Sequence, residues 1–131
     1  MEALAAEIDP AGDLASVIAG LEGDHGEVAD SAEEFRTLML ERERTAMAEL
    51  EGTHFEIPDE IRAIDVRLAP MGNALGAYFV PPSEDFSRPG TTWWSLGEQQ
   101  RVPLWSQVTI AYHEGFPGHH LQCGIQATRC V

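Results

Sequence analysis

The apolar positions change from a helical to a strand-like period near Gly52 and return to a helical one near Val102. Before Gly52 they repeat as on a helix. Leu14, Val17, Ile18 and Leu21 fall at i, i+3, i+4 and i+7, which predicts a helix from Asp13 to Leu21, with a loop over Gly20 to Gly26. Ser31 with Glu34 three residues on is a capping box, opening a long helix from about Ala32 to Glu51 that Gly52 ends. Its apolar stripe is Phe35, Leu38, Met39, Ala46, Met47 and Leu50, and both methionines read as core. Glu41-Arg42-Glu43-Arg44 reads as a solvated stretch.

After Gly52, β-branched and aromatic residues with partial alternation predict three strands: Ile61 to Leu68, Leu75 to Val80 and Thr91 to Leu96. Pro81-Pro82 stops the second, and Ser87 to Gly90 makes a turn. On a strand, Trp93 and Trp94 face opposite sides, so one belongs to the core and the other is free to line a cleft. From Val102 to about Arg129 a last helix is expected, with Pro103 in its first turn and Trp105, Val108 and Tyr112 anchoring it. The predicted fold is α+β: a helical segment over residues 1–52, then a small antiparallel sheet and a C-terminal helix over residues 53–131.

Charge narrows the partners. With 22 acidic residues against 8 basic ones the net charge is -14, which argues against nucleic acid or an anionic membrane surface. No apolar run approaches the roughly 20 residues that span a bilayer, so no transmembrane segment is expected, and the N-terminus lacks the basic and apolar regions of a signal peptide. Cys123 and Cys130 make no disulfide framework. A structural zinc site pairing Cys123 with His119 would leave the chemistry described next without a purpose.

That chemistry lies in Tyr112 to Gln122, Y-H-E-G-F-P-G-H-H-L-Q, which holds three of the five histidines; His25 and His54 fit no spacing pattern. In zinc hydrolases of the H-E-x-x-H kind, two imidazoles at i and i+4 bind the metal and the Glu beside the first is the general base. Here Pro117 occupies the i+4 position, and the next imidazoles are His119 and His120. On an unbroken helix His119 would sit about 9 Å along the axis from His113 and off its face, and His120 roughly 10.5 Å away. Neither pair would close on one ion whose metal–nitrogen bonds are about 2.0–2.1 Å.

The sequence supplies an interruption. Pro117 cannot donate to the His113 carbonyl and its ring clashes there, while Gly115 and Gly118 allow unusual backbone angles. A bulge of two residues turns i+6 into an effective i+4 and makes His119 the second ligand, with His120 as the fallback if three residues loop out. Glu114 is then the general base and Zn²⁺ the expected cofactor.

The same residues resemble a known family. Ala69-Pro70, Tyr78, Pro81 to Gly90, Trp93-Trp94 and His113 to Gln122 are similar to the bacterial "domain of unknown function 885" family, over about half of the chain. The resemblance implies a zincin-like fold and a metallopeptidase activity. A weaker likeness to thimet-type oligopeptidases, through Gly118-His119-His120-Leu121, also places His119 on the metal.

Members of the family run to several hundred residues, and gluzincins take a third ligand, usually a Glu, from a later helix. This chain stops nine residues after Gln122, so the expectation is an internal or truncated piece with the remainder of the catalytic domain outside it. The implied substrate is a peptide or small amide. The alternatives are a metal-dependent hydrolase acting on another bond, and an acidic structural fragment without catalysis. Arg88 is a candidate clamp for a substrate carboxylate or, alternatively, a brace for its own loop.

Overall fold

The computed structural model describes residues 1–23, 26–70 and 76–130. Two short helices, α1 (Glu2–Ile8) and α2 (Leu14–Glu22), pack on one another at the start. The Asp13 side chain caps α2 by accepting from the Ser16 amide. Helix α2 continues through Gly20 to Glu22, so the expected loop starts later, and His25 lies outside the described residues.

Strand β1 (Val28–Ala29) leads into the long helix α3 (Ala32–Leu50). The capping box is present: Ser31 accepts from the Glu34 amide, and the Glu34 carboxylate reaches back to the amide of Asp30. Gly52 ends the helix in the left-handed region, at φ 74°. A 3₁₀ turn (Asp59–Ile61) precedes β2 (Ile64–Leu68), so the first predicted strand loses its N-terminal residues to that turn. Strands β3 (Gly76–Val80) and β4 (Gly90–Ser95) follow; Leu75, expected in the second strand, lies outside the described residues.

These three strands form a sheet in the order β2-β4-β3. It is mixed, which corrects the all-antiparallel expectation. β3 runs antiparallel to β4, but β2 pairs with β4 in parallel, Ile64 opposite Gly90 and Leu68 opposite Trp94. Alternation marks which face of a strand is buried and says nothing of the direction of its neighbour, so the parallel pair was invisible in the pattern.

The inner face of the sheet meets α3. Trp94 is fully buried with its ring edge-on to Phe35 at 4.9 Å, while Trp93 on the outer face stacks near Tyr78 with Arg67 over its ring. Phe35, Met39, Val66, Trp94, Leu96, Val102, Leu104 and Ala111 share one core with Ala29. A second core joins Met47, Ile57, Ile61, Ile64 and Phe116. Both draw residues from either side of Gly52, so the change of period there does not divide the packing.

The chain then departs from the single long helix expected over 102–129. Val102–Pro103 is strand β5, paired antiparallel with β1, which ties the segment before α3 to the segment before the last helices. Helix begins only at Gln107, as α4 (Gln107–Glu114), and resumes as α5 (Gly118–Arg129). α4 turns Gln107 and Ala111 inward. Tyr112 is half-buried and lines two shallow grooves together with Ala46, Leu50 and Thr45 of α3.

Candidate metal centre

The break between α4 and α5 creates the site. Gly115 closes α4 by donating to the Ala111 carbonyl, Phe116 plunges into the second core with no exposed surface, and the Phe116–Pro117 peptide is cis. The helix restarts when His120 and Leu121 donate to the carbonyls of Gly115 and Pro117. Two glycines are required by close approach alone. A Cβ on Gly118 would overlap the His113 carbonyl oxygen, and one on Gly115 would overlap the carboxyl of Glu43. The interruption is thus a full break between two helices, where a bulge within one was expected. Pro117 has no amide hydrogen with which to carry the ladder through.

The consequence is convergence. The His113 and His119 rings lie 5.0 Å apart, centroid to centroid, at 89°. Glu114 sits between them, one carboxylate oxygen 4.0 Å from His113 Nε2 and the other 3.8 Å from His119 Nε2. One donor atom from each of His113, Glu114 and His119 falls within 4.8 Å of the others, the one such His/Cys/Asp/Glu group among the described residues. Cys123 is not in it.

His119 is held by its neighbours. Its Nδ1 lies 3.1 Å from Gln122 Oε1, within hydrogen-bond distance, which turns Nε2 toward Glu114. The ring of Phe79 on β3 stacks beside it at 6.5 Å.

His120, the fallback ligand, does not join the cluster, and this corrects its place in the ligand set. Its ring is 1% exposed, and Nε2–H donates to the Ile61 carbonyl at 2.7 Å, tying α5 to the 3₁₀ turn. Burial pushes its pKa down, so the neutral imidazole is held in the core, with Nδ1 against Gly90 and without a hydrogen-bond partner. One residue along a helix is a rotation of about 100°, enough to send adjacent histidines to solvent and to core.

The residue that pattern reading placed wrongly is Glu43. Expected to be solvated, it is 1% exposed, with its carboxyl against Gly115 directly beneath the site. Burial raises its pKa to about 8, against the Thr92 hydroxyl and the Phe116 amide, which favour the charged form. The signal was available: Glu43 stands four residues from both Met39 and Met47, in line with the buried stripe.

On the outer face of the sheet, Arg67, Tyr78, Val80, Arg88, Thr91 and Trp93 line a depression of about 410 Å³. Arg88 donates to the Pro81 carbonyl at 2.8 Å, bracing its own loop, and Arg67 is paired with Asp65.

An α+β chain with a His-Glu-His cluster across a broken helix pair is the class of protein that this geometry defines. The chain belongs to the DUF885 family: the model of that family, described as "Bacterial protein of unknown function (DUF885)", matches residues 1–129. Among solved structures it is similar to a protein titled a putative lipoprotein from Colwellia psychrerythraea, at 25% identity and a TM-score of 0.70. That likeness covers 92% of this chain and 22% of the other, so the chain spans about a fifth of the length of that relative. No curated protein matches it.

Proposed function

We propose that this chain carries the metal-binding and general-base groups of a zincin-like, zinc-dependent hydrolase that cleaves peptide or other amide bonds. The observation behind the reading is the convergence of His113, Glu114 and His119 on one point, across a break that the sequence builds from Gly115, Pro117 and Gly118. The donor set fits zinc: two imidazoles whose Nε2 atoms face one carboxylate, one ring fixed by Gln122, both open to solvent at the rim. When bound, zinc supplies Lewis acidity, polarising an amide carbonyl and acidifying water.

The remaining work falls to the chain. His113 and His119 would hold the metal, and Gln122 steadies the His119 ring. Glu114, its side chain 22% exposed, takes the proton of the attacking water and returns it to the leaving amine. Strand β3 lies at the edge of the sheet with Phe79 beside His119, so its backbone offers an extended peptide a partner within reach of the site.

Metal analysis of the purified chain against His113→Ala tests the ligand set. A wild type that retains no more zinc than the variant overturns the reading. Glu114→Gln separates base from ligand: zinc content is expected to persist while turnover falls by about 10²–10⁴. Loss of the metal in Glu114→Gln would reassign Glu114. Peptide-library turnover beside simple esters, each with chelator reversal, tells an amide hydrolase from one acting on other bonds.

A further inference from the structure

Glu43 interrupts a stripe that is otherwise apolar. Phe35, Met39 and Met47 occupy the same face of α3, the first two in one core and the last in the other, so Glu43 lies at the seam between the cores. A leucine there would join the two clusters, whereas a carboxyl in such a place is unfavourable unless something in the core uses it. What it meets is the turn. Its carboxyl abuts Gly115 closely enough to leave no room for a Cβ, and the Phe116 amide and Thr92 hydroxyl lie beside it. Glu43 Oε1 has no hydrogen-bond partner of good geometry. Phe116, next along, is clamped by Met47, Ile57 and Ile61. The turn is therefore gripped by an apolar plug at Phe116 and a polar one at Gly115.

We propose that Glu43 is the positioning residue of the site: it fixes the Gly115–Pro117 turn and through it the spacing of His113, Glu114 and His119. This rests on the reading of those three residues as a metal centre. Glu43 meets the turn at Gly115 and is not part of the His113-Glu114-His119 group; it acts through the backbone that carries the ligands.

Cobalt(II) titration of the full chain, read by visible absorption, tests it alongside thermal melting of the metal-free protein. Glu43→Gln, which keeps the shape and polar atoms, is expected to bind Co²⁺ as the wild type does. Glu43→Leu is expected to melt no lower than wild type yet to lose Co²⁺ affinity by about tenfold or more, with an altered ligand-field spectrum. Leucine with wild-type affinity and spectrum would overturn the proposal.

If the Leu variant does not fold, the coupling of Gly115 to Glu43 decides. Gly115→Ala should lower Co²⁺ affinity about tenfold in the wild-type background and far less in Glu43→Ala. An equal loss in both backgrounds means that Glu43 does not position the turn. A wild type that binds no more Co²⁺ than His113→Ala instead removes the metal centre itself, and this inference with it.

Discussion

On the rim of the turn between α4 and α5, the side chains of His113 and His119 are 69% and 40% exposed, whereas beneath it Glu43 and His120 are each 1% exposed. The two regions use the same residue types on either side of one turn, under opposite solvation. At the rim, imidazole lone pairs and a carboxylate stay available for a cation. In the floor, burial pushes the carboxylic acid up and the imidazole down, so both are held neutral near pH 7 and serve as packing with polar edges. Residue type therefore proposes chemistry, and the depth of the side chain decides whether the chemistry is on offer.

The sharpest way to break this contrast is at the apolar plug. Phe116→Ala should destabilise the chain by about 3–5 kcal/mol in urea denaturation, because a fully buried ring is lost from the second core. A loss below about 1 kcal/mol would mean that the floor is not packed as described. Gly90→Ala comes next, at about 1–3 kcal/mol, since its methyl would press on the His120 ring and on Phe79.

The pH profile sharpens the same contrast. Glu43 has a folded pKa raised from 4.5 to about 8, so the folded state holds its proton where the unfolded state has released it. Its contribution is fully present on the acid side and declines as pH rises from about 4.5 to about 8, by up to about 1.4 kcal/mol per unit. His120 runs the other way: its pKa is lowered from 6.5, so its contribution is present above that value and declines as pH falls below it. Glu43→Gln should flatten the loss of stability toward alkaline pH, measured by urea melts from pH 5 to pH 9; an unchanged profile would show that Glu43 is ionised at neutral pH. Smallest is His113→Ala, expected within about 0.5 kcal/mol of wild type without metal, as befits an exposed rim residue.

Much of this site could be read along the chain. The adjacency of His113 and Glu114, the impossibility of sharing a cation along a straight helix, and the proline and glycines that break it all lie within ten residues, where local geometry governs. Glu43 was placed in solvent because it stands in a charged run, although its spacing from Met39 and Met47 put it on the buried face. Phe79 was missed for a different reason. Its approach to His119 depends on how β3 is placed against α5, a contact between segments about forty residues apart.

The amino-acid order alone determined the α3 cap, the opposite faces of Trp93 and Trp94, and the need for a break at Pro117, because each follows from backbone sterics and period over a few residues. Tertiary structure alone decided that β2 runs parallel to β4, that Val102–Pro103 pairs with β1 instead of opening a helix, and that His119 faces the rim while His120 faces the core. Those outcomes depend on which distant surfaces must be buried together, and hydrophobic free energy, being non-directional, leaves no mark in the local pattern of which partner each surface finds.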